Sequence, residues 1–93
     1  MILSFGNKET AKIWDGIVSK KIPYEIQHIS RRKLRMLNNS NNISDLLIPP
    51  SNNLEKLKGQ YKGYYSIRIN IRWRIIFIWD GNKADKVEII DYH

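Results

Sequence analysis

Residues 63–79 read GYYSIRINIRWRIIFIW. Tyr65, Ile67, Ile69, Ile71, Trp73, Ile75, Phe77 and Trp79 occupy the odd positions, and all are apolar. The even positions carry Ser66, Arg68, Asn70, Arg72 and Arg74, turning apolar only at Ile76 and Ile78. Strand side chains alternate between faces, so this period of two predicts β structure with one apolar and one cationic face. A single straight strand of this length spans about 55 Å at ~3.3 Å per residue, too long for so short a chain. A turn must interrupt it, and Asn70 tolerates turn geometry best. A two-residue loop at Asn70-Ile71 would pair Ile69 with Arg72 and put arginines on the apolar face. An odd loop over 70–72 pairs Ile69 with Trp73, Ile67 with Ile75 and Tyr65 with Phe77, keeping each face uniform. It also sets Arg68 opposite Arg74, with Arg72 at the loop edge. Like charges directly opposed are destabilising, so this register points to an anion held between them.

The chain around this hairpin is 93 residues long, the size of one domain. Sixteen Lys plus Arg against nine Asp plus Glu leave a net charge of +7. The excess is local: residues 56–74 hold six basic side chains and no acidic one, and Arg31-Arg32-Lys33-Leu34-Arg35 forms a second cluster. Such a field favours nucleic acid, an anionic membrane or an acidic protein. The absence of cysteine removes disulfides, thiolate metal sites and cysteine nucleophiles together. Residues 1–5 are too short for a signal-peptide core, and no segment approaches a membrane span. The expectation is a soluble cytoplasmic protein.

Working outward, residues 1–5 read as a first strand. Asn7 is placed to cap a helix over 8–18, with Ala11, Trp14, Ile17 and Val18 on one face and Gly16 weakening the interior. Residues 24–38 form the clearest helix, Ile26, Ile29, Leu34, Met36 and Leu37 covering about 160° of its circumference at ~100° per residue. Lys33 intrudes on that arc, its stem able to lie along apolar surface. An Asn-rich run stops the helix. A turn over 43–47, a strand over 54–58, the hairpin, a turn at 80–83 and a strand over 87–91 complete the chain. The expected fold is α+β: an antiparallel sheet with two N-terminal helices on one face.

Glu55 is the only carboxylate near the basic run. With Lys58, Arg68, Arg72 and Arg74 it forms a set of one potential base and several phosphate-binding cations, the parts that RNA cleavage by a neighbouring 2′-hydroxyl requires. A plain surface ion pair is the competing reading. Asp91-Tyr92-His93 ends the sequence; histidine is the usual neutral-pH proton donor, though on the residues alone a frayed terminus is the favoured reading of His93. His28 reads as a surface residue. Two histidines so far apart make no convincing metal site, and no metal or other cofactor is expected.

Three segments, Leu54-Glu55-Lys56-Leu57-Lys58-Gly59, Ser66-Ile67-Arg68-Ile69-Asn70 with Trp73-Arg74, and Asp91-Tyr92-His93, resemble the HigB-like toxins of the RelE/ParE superfamily. The resemblance extends over residues 1–93 as one domain. It implies a small microbial-RNase-like fold and the toxin half of a type II toxin–antitoxin pair, an mRNA endonuclease acting without metal in the ribosomal decoding site. Carried over by position, Glu55 is the general base, Lys58, Arg68 and Arg74 hold the scissile phosphate, and Asp91, Tyr92 and His93 supply base orientation and the acid. Arg72 joins them on charge and register alone. Arg31, Arg32 and Arg35 are expected to touch RNA or the antitoxin. The implied partners are a HigA-like helix-turn-helix antitoxin, in whose higher-order complex the toxin is a monomer, and the 70S ribosome with its message. A non-catalytic inhibitor of DNA gyrase, as in the ParE branch, is the alternative, and a plain nucleic-acid-binding module a third.

Overall fold

The computed structural model describes residues 1–92. Two helices, α1 (Lys8–Trp14) and α2 (Tyr24–Asn39), precede four strands, β1 (Glu55–Lys56), β2 (Tyr65–Arg68), β3 (Trp73–Asp80) and β4 (Lys83–Asp91). The strands form an antiparallel meander in the order β1-β2-β3-β4. The core lies between the helices and one sheet face: Ile13, Ile26, Leu34 and Leu37 cluster with Ile67, Ile69, Ile75, Phe77, Val87 and Ile89. Among the described residues no helix is long and apolar enough to cross a membrane.

The hairpin has the expected register. Tyr65 pairs with Phe77, Ile67 with Ile75 and Arg68 with Arg74. Asn70 makes the turn, its Oδ1 accepting the backbone N–H groups of Arg72 and Trp73 at 2.8 Å each. That local hydrogen bonding is what Asn offers a turn. Ile67 and Ile75 therefore face the helices, while Ser66, Arg68, Arg74 and Ile76 share the other face.

Helix α1 is shorter than the period implied. Asn7 caps it as expected, accepting from Thr10 N–H at 2.8 Å. The helix ends at Trp14 because Gly16 adopts φ +81° just past it. Gly16 and Ile17 donate backwards to the carbonyls of Ile13 and Lys12, the reverse turn that glycine favours at a helix C-terminus. Ile17 and Val18, expected on the buried helix face, are more than half exposed. Helix α2 runs one residue longer than expected. The misplaced Lys33 has a partner: its ammonium donates to Asn52 Oδ1, and burial holds its pKa below the ordinary 10.5.

Residues 1–5 form no strand of their own. They make two isolated parallel bridges to β4, Ile2 with Ala84 and Phe5 with Val87. The strand expected over 54–58 contracts to Glu55–Lys56, since the turn Gly59–Tyr61 follows almost at once. Strand β4 begins four residues earlier than expected, because it carries an irregularity between the partners of Ile76 and Ile78. Lys86, at φ +51°, is the extra residue there. It lets Ala84 and Val87, three apart, both be fully buried, a spacing that conceals a strand from any period-two reading.

Candidate active site

The sheet face turned away from the helices carries the site. Register places Glu55 beside Ser66, Arg68 beside Arg74 and Arg74 beside Ile90. Arg74 is the centre of this group, with its side chain 11% exposed. Its Nη1 donates to Ser66 Oγ at 2.8 Å and to the Asn53 carbonyl at 3.3 Å, and its Nη2 to Glu55 Oε1 at 3.3 Å. The guanidinium carbon lies 5.8 Å from the centre of the Tyr92 ring, within cation–π range. A guanidinium has five N–H donors. The bonds just named engage three of them.

Glu55 is itself held from two sides, by Arg74 and by Asn53 Nδ2 at 3.0 Å. The site therefore contains the surface ion pair foreseen as the competing reading.

Arg68 stands directly opposite Arg74 but does not converge on it. It is exposed, and its Nε donates to the Asn70 carbonyl at 3.1 Å. Arg72 turns to the sheet end, where its Nη2 lies 2.5 Å from Asp91 Oδ2 and its Nε 3.3 Å from Asp91 Oδ1. The Arg72 carbonyl accepts from Tyr92 N–H at 2.6 Å, which fixes the Tyr92 backbone beside the hairpin. Tyr61 packs 6.1 Å from the Tyr92 ring and 6.2 Å from the Tyr64 ring. Lys58, Gln60, Tyr61, Asp91 and Tyr92 line a cleft of about 320 Å³, giving Lys58 a place beside the aromatic pair. His93 lies outside the described residues.

The α2 arginines stand apart. Arg31 Nε donates to the Ile13 carbonyl at 2.9 Å, stabilising the C-terminal end of α1. Arg32 and Arg35 are exposed on the same helix, which packs on the opposite sheet face from Glu55 and Arg74.

Ser66, Asn52 and Asn53 were missed by the sequence reading. Ser66 and Asn52 are fully buried, and Asn53 adopts φ +46°. An Asn pair before a strand reads as loop, and although the register puts Ser66 and Arg74 on one face, only the assembled side chains show the bond between them.

Comparison with known proteins gives this geometry a lineage. Residues 3–93 match the family described as the RelE-like toxin of type II toxin–antitoxin system HigB. The chain is 41% identical over 83 residues to Toxin HigB-1 of Vibrio cholerae serotype O1, covering 87% of each protein. It is 38% identical over 72 residues to an uncharacterized protein of Haemophilus influenzae, covering 77% of this chain and 71% of the other. Among solved structures, it is similar to a chain of the YoeB-YefM complex from Staphylococcus aureus. That match has a TM-score of 0.61 at 19% identity and covers 100% of this chain and 98% of the other. A heterotetrameric complex of the same toxin–antitoxin pair matches equally. At that identity the structural likeness bears on the fold, which is RelE-like.

Proposed function

The chain belongs to the RelE-like HigB toxins of type II toxin–antitoxin systems, and from that premise we propose that it is a ribosome-dependent endoribonuclease cleaving mRNA in the decoding site. One observation carries the reading: the Glu55 carboxylate lies 3.3 Å from a guanidinium packed against the Tyr92 ring. A proton acceptor, a fixed cation and a stacking surface thus share one sheet face. In the proposed reaction the substrate's 2′-oxygen attacks the adjacent phosphorus as Glu55 takes its proton. The bond from phosphorus to the 5′-oxygen breaks, and that oxygen receives a proton from His93. The products carry a 2′,3′-cyclic phosphate and a 5′-hydroxyl. Arg74 offsets the charge that grows on the phosphoryl oxygens, with Lys58 in the adjoining cleft, while Arg68 and Arg72 add positive field from the hairpin end. Tyr92 stacks on a neighbouring base and Asp91 orients it.

The partners follow from the same reading: a HigA-like helix-turn-helix antitoxin, the 70S ribosome and its message, all in the cytoplasm. The toxin enters the antitoxin complex as a monomer, and Arg31, Arg32 and Arg35 form a basic surface for RNA or antitoxin. The test is incubation of the purified protein with programmed ribosomes and mapping of message ends. Cleavage lost in Glu55→Gln, Arg74→Ala and His93→Gln supports the proposal. Intact message accompanied by DNA-damage signalling on induction would replace it with gyrase inhibition.

A further inference from the structure

We propose that Asn53 and Ser66 are positioning residues that set the mutual geometry of Glu55 and Arg74, an inference that rests on the endoribonuclease reading. An arginine side chain has four rotatable bonds, and its stabilisation of a developing charge depends on the guanidinium being in place beforehand. Ser66 supplies one fixed point. It is fully buried on β2, and its hydroxyl accepts from Arg74 Nη1 at 2.8 Å.

Asn53 supplies the other. Its left-handed backbone, φ +46° and ψ +56°, lets one residue reach both partners. The carbonyl accepts from Arg74 Nη1 at 3.3 Å, while the side-chain Nδ2 donates to Glu55 Oε1 at 3.0 Å. Asn53 is exposed, so the turn needs an anchor. Asn52, fully buried, provides it: Nδ2 donates to the Leu46 carbonyl at 3.1 Å and the Ile48 carbonyl at 3.4 Å, and Oδ1 accepts from the Lys33 ammonium. The clamp on Glu55 and Arg74 is thereby fastened to α2, on the far side of the sheet.

The test uses two variants and readouts that separate positioning from folding. Asn53→Gly keeps the left-handed backbone and the carbonyl, removing only the amide to Glu55. Ser66→Ala removes only the hydroxyl to Arg74. In protein labelled at arginine nitrogen and glutamate carboxyl carbon, Ser66→Ala is expected to merge Arg74 Nη resonances that hindered rotation keeps apart in the wild type. Asn53→Gly is expected to move the Glu55 carboxyl signal. In ribosome-programmed cleavage each variant should lower kcat about tenfold, within the ~100-fold that a 1 Å misplacement costs, with KM within about twofold of wild type. Unmoved resonances in both variants overturn the proposal, as does a KM rise at constant kcat. Should Ser66→Ala not fold, the exposed Asn53→Gly decides by itself. If the wild type cleaves nothing, the endoribonuclease reading fails, and the resonance readouts still decide whether Asn53 and Ser66 fix the pair.

Discussion

Arg74 reaches across the sheet from β3 to place Nη2 3.3 Å from the Glu55 carboxylate on β1, with β2 between them. The base and the principal cation of the proposed reaction are thus held in one hydrogen-bonded unit. Glu55→Gln keeps the shape and the bond to Arg74 but removes the proton acceptor. We expect cleavage to fall by about 10²–10⁴, the usual contribution of general acid–base catalysis, with the melting temperature nearly unchanged because the pair is partly exposed. Single-turnover cleavage beside a thermal melt checks both halves.

The Tyr92 ring lies 5.8 Å from the Arg74 guanidinium carbon and 6.1 Å from the tilted Tyr61 ring. If it stacks on a base, Tyr92→Phe should bind a short single-stranded RNA much as wild type does. Tyr92→Leu should lose about 1–3 kcal/mol, the range for a base stacked on an aromatic side chain. Fluorescence anisotropy at fixed salt distinguishes the two variants. Equal affinity in both would deny the stacking role.

Gly16 ends α1 at φ +81°, with open space around the position of a Cβ. Replacing it with alanine meets no clash, only the backbone preference of an L-residue, about 1–2 kcal/mol in the left-handed region. For a domain of this size each kcal/mol lowers Tm by roughly 4–8 °C. Calorimetry of Gly16→Ala should show that drop with no change in cleavage.

Two hydrogen-bonded carboxylates contribute to the acid limb of stability. A hydrogen bond from Ser19 holds the Glu9 pKa below its ordinary 4.5, and one from Ser4 holds that of Asp85 below 3.8. Both groups bind a proton more readily in the unfolded chain. Their contributions are therefore complete above the ordinary values and disappear as pH falls through the lowered ones. Thermal melts from pH 7 to pH 3 should show a shallower acid limb for Glu9→Gln/Asp85→Asn than for wild type. Parallel limbs would rule the linkage out.

The hairpin was legible because two independent constraints agreed. Period two set the faces, and only an odd loop kept Arg68 and Arg74 off the apolar side. The end of α1 was not, because Ile17 and Val18 continue the apolar arc past Gly16, and composition does not reveal that Gly16 turns left-handed. Asn53 and Ser66 were invisible as site residues for another reason. Their partners lie on other strands or beyond the next turn, and nothing in an Asn-Asn dipeptide announces an arginine 21 positions later. Local pattern specifies elements, whereas the clamp exists only once those elements are assembled.

Lys86 has a consequence beyond the helix-facing side of β4. Counting from Ala84 without the extra residue, every even-numbered position of the strand would point toward the helices, Tyr92 among them. The added residue inverts the count, so that Tyr92 emerges beside Arg74 instead. The bulge is in effect a parity bit, deciding on which side of the sheet Tyr92 emerges. Deleting one residue there would carry Tyr92 to the wrong side even if every core contact upstream survived. Removing two would preserve the side and shorten only the reach.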